Sequence, residues 1–306
     1  MSLHTISHPL RTSHPLRTSH PLRTSQLPVL DLGDLPPEVL RTVVRDTGAF
    51  YLTGHGIRPE IPGQLLDLAR LFFALPTEDK SAVDTARSEQ FRGWTSFGQG
   101  PAQGWREQFD LGAELPAIPA ARRTRPGDSL VGPNQWPVRL PALRDRALWF
   151  QDRATEVARA VLRQLAVALD LDAGVFDQAF AGDPATWTSL ARETGEDGAV
   201  DHPIASHTDP GALTLRWIDD WTEGDRILVD HRWVAADRVP GAFLVTVGDL
   251  LEDVTDGYLR AAPHRPAPAT RERVTLTYTY DAPYGVVPGR LDLPGHLTAG
   301  DWPLAG

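Results

Sequence analysis

Cysteine is absent from the 306 residues, which removes disulfides, thiolate nucleophiles, iron–sulfur clusters and cysteine-based zinc sites together. Lysine occurs once, at Lys80 in Thr77-Glu78-Asp79-Lys80. That polar run after Pro76 reads as a solvated turn, so a Schiff-base lysine enzyme is disfavoured. No stretch approaches the roughly 18 apolar residues of a membrane span, and the N-terminus lacks the apolar segment of a secretory leader. The chain therefore reads as cytoplasmic, with no membrane partner. Positive charge is also scarce, at a formal net of −10. Residues 1–25 hold Arg11, Arg17 and Arg23 without an acid, so the remainder is more acidic still. Nucleic acid is a poor partner for such a body. Hydrophobic residues at 41% and charged residues at 23% leave enough apolar material for a folded core.

Three copies of His-Pro-Leu-Arg-Thr-Ser begin at His8, His14 and His20. Each copy has a proline that blocks continuous helix and one large apolar residue, too little to offset the entropy of ordering it. Residues 1–26 are expected to be a disordered tail without an assigned role. Order begins at Leu27-Pro28-Val29-Leu30-Asp31-Leu32, a short strand pattern. Pro36-Pro37 opens a helix with Val39, Leu40, Val43 and Val44 at helical spacing, and Gly48 ends it. Ala49-Phe50-Tyr51-Leu52 follows as a strand, then a helix from about Gln64 to Ala74, and the longest amphipathic pattern runs from Arg144 to Asp170. Behind these, β-rich runs at Ala212–Ile218, Arg226–Val229, Ala242–Val247 and Val274–Tyr280 are separated by Gly, Asp and Pro. Short strands with turn signals point to a sandwich or barrel rather than a parallel sheet. We expect one α+β domain over 27–306, with helices and strands in 27–140, a β-rich core and backing helix in 141–290, and an extension in 291–306.

Outside the tail only His55, His202, His207, His231, His264 and His296 remain. His207-Thr208-Asp209 precedes a strand, and a side-chain period of two puts the imidazole and carboxylate on one face. A lone His-x-Asp arises by chance about as often as not in a chain of this size. His264, just before the last strong strand, is the third possible ligand, since distant runs of an antiparallel fold can lie side by side. Two imidazoles and one carboxylate on one side of a metal leave positions open, the arrangement of non-haem Fe(II) sites. Beyond it, Arg273-Val274-Thr275-Leu276-Thr277-Tyr278-Thr279-Tyr280 alternates between a polar and an apolar face. Arg273 with the neighbouring Thr275 hydroxyl suits a carboxylate. An exposed strand with a salt-bridged Arg273 accounts for the pattern equally well when the strand is viewed alone.

With these residues in order, the chain resembles the isopenicillin N synthase-like family of Fe(II)/2-oxoglutarate-dependent dioxygenases. The resemblance runs over most of residues 27–283, through Leu27-Pro28-Val29-Leu30-Asp31-Leu32, Gly48-Ala49-Phe50-Tyr51-Leu52, Gly54-His55-Gly56-Ile57, Phe72-Phe73-Ala74-Leu75-Pro76, Arg92-Gly93-Trp94 and Gly132-Pro133-Asn134-Gln135-Trp136-Pro137. It ends with His207-Thr208-Asp209-Pro210-Gly211-Ala212-Leu213-Thr214-Leu215, Gly248-Asp249, Pro263-His264-Arg265 and Arg273-x-Thr275. It implies a double-stranded β-helix (a cupin-like jelly roll) flanked by helices. It implies that His207, Asp209 and His264 hold Fe(II), that Arg273 and Thr275 bind the far carboxylate of 2-oxoglutarate, and that dioxygen is the oxidant. The implied function is hydroxylation, desaturation or cyclisation of a small molecule in microbial natural-product metabolism, with release of succinate and CO2. Thr275 replaces the family's usual serine and keeps the hydroxyl. The family's Asn-x-Tyr segment reads Leu190-Ala191-Arg192-Glu193-Thr194, without the tyrosine. Retention of Asp209 disfavours halogenation.

Two other readings are weighed beside this one: an iron oxidase of the same fold that does not use 2-oxoglutarate, and a non-catalytic small-molecule-binding jelly roll. His202 reads as a solvated loop residue, His55 as structural, His231 as surface in a hairpin, and His296 is assigned no role. Arg92, Trp94 and Trp217 are candidates to line the substrate cavity, with Trp105 and Trp187 behind them, although tryptophan is more often core than pocket.

Overall fold

In the computed structural model the chain begins with strand β1 (Val29–Asp31), helix α1 (Pro37–Asp46) and strand β2 (Ala49–Thr53), with β1 and β2 paired in parallel. The structure describes residues 27–97, 106–194, 204–218, 224–267 and 271–297. The expected tail over 1–26 lies outside the described residues, as do His202 and Trp105. Proline at the first turn of α1 fits because no partner exists there for its missing N–H, and Leu40, Val43 and Val44 bury the inner stripe. Helix α2 (Glu60–Phe73) and the short α3 (Thr77–Ser81) lead into the hairpin of β3 (Gly93–Phe97) and β4 (Arg106–Gly112).

Helix α4 (Pro141–Ala168) is the backbone of the helical layer. Its stripe Leu143, Ala147, Phe150, Ala154, Val157, Val161 and Leu165 is buried. The small α5 (Val175–Ala179) then turns the chain into β5 (Ala185–Glu193), β6 (Leu213–Trp217), the hairpin β7 (Arg226–Val229) and β8 (Arg232–Ala235), and β9 (Phe243–Val247). After α6 (Asp249–Val254) come β10 (His264–Arg265) and β11 (Arg273–Asp281). His231 and Asp230 both take positive φ in the β7–β8 turn, as a two-residue hairpin with matching twist requires.

Among the described residues the strands form one eight-stranded sheet, in the order β1-β2-β9-β6-β11-β5-β4-β3, and a three-stranded sheet, β10-β7-β8. All pairs except β1–β2 are antiparallel. Mutual backbone bonds between His207 and His264 bring the small sheet over one face of the large one. A second apolar cluster, with Tyr51, Leu244, Ile227 and Ala262, fills part of the space between them. This is the expected double-stranded β-helix with helices outside.

Alternation sorts the large sheet into two faces. Leu213, Leu215 and Trp217 of β6 with Leu276, Tyr278 and Tyr280 of β11 face the helices. Phe150 of α4 meets Tyr278 edge-on at 6.2 Å and Phe243 at 6.2 Å, and the Tyr278 hydroxyl pairs with Thr155 Oγ1 at 2.6 Å. Each such side chain contributes about 1.5–3 kcal/mol when removed from water. The inner face is polar, with Thr246, Thr214, Arg216, Thr277, Ser189 and Asp110 spread across neighbouring strands, and Arg273, Glu193 and Arg106 further along.

Lys80, expected in a solvated turn, is instead buried, with Nζ 2.5 Å from Glu107 Oε1 and a bond to the Phe73 carbonyl at 3.1 Å. The reason lies in β4, where Glu107 alternates onto the helix-facing side. An unpaired carboxylate there would be costly, so Lys80, Arg192 at 2.7 Å and the Trp94 indole N–H at 3.0 Å surround it.

On the inner face, burial pushes the Asp110 carboxyl up to about 6, against hydrogen bonds donated by Gln108 and by Trp187 Nε1. A raised carboxyl favours the fold fully only below the unfolded value near 3.8, and that contribution is lost as pH rises through about 6. Asp110→Asn is therefore expected to gain about 1 kcal/mol relative to wild type between pH 5 and pH 8, read from denaturant or thermal unfolding at both values. A wild-type-to-variant difference that does not change with pH would show that Asp110 ionises normally.

Candidate metal centre and cosubstrate pocket

The turn before β6 carries the first two functional side chains. Gly211 takes φ +87° where the chain folds back against Tyr280 and Asp281, and Ala212 N donates to the Tyr280 carbonyl at 2.9 Å. A Cβ on Gly248 would lie 2.4 Å from the Gly211 carbonyl oxygen, so only glycine permits this approach. The Gly248-Asp249 backbone then clasps the turn, with Asp249 N on the Asp209 carbonyl at 2.9 Å and Gly248 N on the Ala212 carbonyl at 3.0 Å.

His207 and His264, far apart in sequence, exchange both backbone bonds: His207 N to His264 O at 3.0 Å and His264 N to His207 O at 2.8 Å. Their rings lie 4.5 Å apart. Nδ1 of His207 is 3.0 Å from the Ala205 carbonyl and Nδ1 of His264 is 2.9 Å from the Ala262 carbonyl. A carbonyl only accepts, so each Nδ1 carries a proton, and in the neutral imidazole the lone pair is then on Nε2. Asp209 completes the set, with Oδ1 3.5 Å from His264 Nε2 and Oδ2 accepting from Thr246 Oγ1 at 3.0 Å. One ligand atom from each of the three lies within 4.8 Å of the others. His264 is buried, Asp209 half-buried and His207 exposed, so the cluster opens on one side.

The protonation states suit a divalent metal. Burial alone would raise the Asp209 carboxyl, but the Arg216 charge and hydrogen bonds from Thr214 and Thr246 oppose it, and the carboxyl is held below the ordinary range. Burial, reinforced by the Arg216 charge, lowers His264 and keeps its imidazole neutral. Neutral imidazoles and an ionised carboxylate are the forms that coordinate. Among the described residues no other group of His, Cys, Asp and Glu meets the same spacing.

Arg273 is buried on the inner face, but it already has a carboxylate partner in the chain. Its Nε and Nη2 approach Glu193 Oε2 at 2.7 and 2.6 Å, and the other oxygen of Glu193 accepts from Arg106. Glu193 stands directly opposite Arg273 in the β5–β11 register, in the segment that lacks the family tyrosine. Two guanidiniums thus converge on one carboxylate, on the same face as Thr275. Sequence reasoning noted the missing tyrosine but not that Glu193 would turn toward Arg273; its place across from Arg273 was the signal.

Three expected cavity residues are elsewhere. Arg92 is almost fully buried in the scaffold, where Nη1 donates to the carbonyls of Ala113 at 2.7 Å and Gly132 at 3.0 Å and Nη2 to that of Leu130 at 2.9 Å. It ties loops together because their carbonyls have no strand partners. Trp94 points to the helix side and donates to Glu107, and Trp217 packs there against Phe243 at 5.1 Å. Both follow the parity of the apolar face, opposite to Arg216. Trp187, in contrast, is on the inner face. His55 is structural as expected, with Nε2 2.9 Å from the Gly241 carbonyl and Nδ1 accepting from Ile57 N. Arg216 was missed altogether: its Nη1 is 2.6 Å from Asp225 and its Nη2 3.8 Å from Asp209. An arginine at inner parity two residues after Thr214 was the available signal.

Comparison with known proteins agrees with this geometry. Residues 27–139 match the family described as the N-terminal region of non-haem dioxygenases in morphine synthesis, and residues 193–282 match the 2OG-Fe(II) oxygenase superfamily. The chain is 32% identical over 273 residues to validamycin A dioxygenase of Streptomyces hygroscopicus subsp. limoneus, covering 80% of this chain and 71% of that protein. It is 27% identical to an Arabidopsis thaliana homoarginine-6-hydroxylase over 81% of this chain and 77% of that protein. A full-length Neurospora crassa protein solved in complex with alpha-KG superposes with a TM-score of 0.70 at 19% identity, over 85% of this chain and 86% of that one. The rice dioxygenase for auxin oxidation gives 0.69 at 25% identity, over 90% and 88%. With both family regions in place around a His-Asp-His cluster, the chain belongs to the 2OG-Fe(II) oxygenase superfamily and is a non-haem dioxygenase dependent on Fe(II), 2-oxoglutarate and O2.

Proposed function

We propose that His207 and His264, through Nε2, and Asp209 hold Fe(II), and that Arg273 with Thr275 binds the far carboxylate of 2-oxoglutarate. The observation that carries this reading is the convergence of the three donors, with both imidazoles held in the coordinating tautomer by the Ala205 and Ala262 carbonyls. When bound, the metal and cosubstrate supply oxidation by dioxygen, with succinate and CO2 released. The residues of the chain orient and exclude. Thr246 fixes the Asp209 carboxylate, and the polar inner face gives the cosubstrate a path from the donors toward Arg273. Glu193 and Arg106 keep the Arg273 guanidinium aimed inward, because buried charges without such partners would be costly.

The substrate on this reading is a small molecule of microbial natural-product metabolism, hydroxylated, desaturated or cyclised in the cytoplasm, where Fe(II) and 2-oxoglutarate are available. The similarity to validamycin A dioxygenase supports that context. No helix among the described residues is long and apolar enough to cross a membrane.

His207→Ala and Asp209→Ala are expected to lower Fe(II) affinity by more than about 100-fold, beyond what loss of an outer supporting residue costs, and to abolish 2-oxoglutarate decarboxylation. Metal titration and succinate release measure the two effects, and wild-type behaviour in either variant contradicts the assignment. Arg273→Ala is expected to raise the 2-oxoglutarate KM by about 10- to 100-fold, the value of one charge-assisted contact, with Fe(II) affinity unchanged. An unaltered KM would place the far carboxylate elsewhere.

A further inference from the structure

Arg216 is an arginine inside a strand whose neighbours Leu215 and Trp217 face the helices, so its side chain enters the polar interior. It is 13% accessible, and its two arms have different surroundings. Nη1 is tied to Asp225 Oδ2 at 2.6 Å, just ahead of β7. Nη2 reaches into the donor cluster, 3.4 Å from His264 Nε2 and 3.8 Å from Asp209 Oδ2. Nε faces Thr277 Oγ1 at 3.5 Å, the limit of a hydrogen bond.

The lone pair on His264 Nε2 cannot serve both a metal and the Arg216 N–H. Coordination therefore leaves Nη2 seeking another acceptor close to the metal, and a carboxylate oxygen of a metal ligand meets that need. Charge points the same way. Arg216 between Asp209 and Asp225 leaves the trio at one negative charge, and a divalent ion turns this into one positive charge, which one carboxylate neutralises. Position separates Arg216 from Arg273. Arg216 lies opposite Thr277 in the β6–β11 register, and Arg273 lies four residues further along β11, about 13 Å by strand rise.

We propose that Arg216 is a second cosubstrate-positioning residue, which receives the metal-chelating carboxylate of 2-oxoglutarate while Arg273 receives the distal one. This rests on the assignment of His207, Asp209 and His264 as metal ligands. The competing account makes Arg216 a strut that only holds Asp225 and Asp209 in place.

The test is anaerobic titration of the Fe(II)-loaded full chain with two cosubstrates: 2-oxoglutarate, and 2-oxopentanoate, which lacks the distal carboxylate. The visible charge-transfer absorption of a chelated 2-oxo acid reports binding. Arg216→Lys tests geometry with charge retained, and Arg216→Met combined with Asp225→Asn removes the pair without stranding an acid. The double variant is expected to bind both acids at least about 10-fold more weakly, by the same factor, with Arg216→Lys between it and wild type. Arg273→Ala is expected to weaken 2-oxoglutarate alone. Isothermal titration with Fe(II) in the absence of oxo acid is expected to show metal affinity undiminished in both Arg216 variants. Unchanged affinity for both acids, a loss confined to 2-oxoglutarate, or a loss of metal affinity overturns the proposal. Absence of the absorption band in wild type overturns the metal-site assignment itself, and this inference with it.

Discussion

The pair of backbone hydrogen bonds between His207 and His264 is the contact on which the site depends. Each residue gives its N–H to the carbonyl of the other, so two segments far apart in sequence become one short antiparallel bridge with both imidazoles on the same side. The bridge also fastens the small sheet to the large one. The bonds from Gly248 and Asp249 to the turn at Asp209–Ala212 do the equivalent work for the carboxylate. The donor geometry is thus written into main-chain pairing, which is stiffer than side-chain contact and less sensitive to what occupies the cavity.

Among the described residues, the arginines on the inner face of the large sheet are each held by a carboxylate. Arg216 is set between Asp225 and Asp209, and Glu193 between Arg106 and Arg273. Replacing such groups by apolar ones would commonly cost nothing in stability, so their presence calls for another reason. A cosubstrate with a negative charge at each end supplies one, since Arg216 and Arg273 lie on the same inner face, four residues apart in the register of β11. On the opposite face, Lys80, Arg192 and Trp94 around Glu107 satisfy a buried acid in the same way without reaching the cavity.

Much of this was legible in the sequence, and the limits have physical causes. The alternation from Arg273 to Tyr280 is clean because one side of β11 packs on helices and the other lines a polar space, and the same parity placed His207 with Asp209. Strands β4 and β5 did not announce themselves, because Glu107 and Arg192 put buried ion pairs on the apolar face and erased the period of two. Lys80 was misplaced for the same reason: its partner Glu107 is distant in sequence. Arg92 and Trp94 looked available to a ligand only while the loops around Ala113, Leu130 and Gly132 had no path. Arg216 interrupts an apolar run, and an interruption becomes informative only once the direction of each strand face is known.

The most direct measurement of the central claim is anomalous diffraction at the iron edge from crystals grown anaerobically with Fe(II) and 2-oxoglutarate. The expected result is a single strong peak within bonding distance of His207 Nε2, His264 Nε2 and an Asp209 oxygen, with the far carboxylate of the oxo acid against Arg273 and Thr275. A peak bound by other residues, or an oxo acid seated away from the inner face of β11, would contradict it.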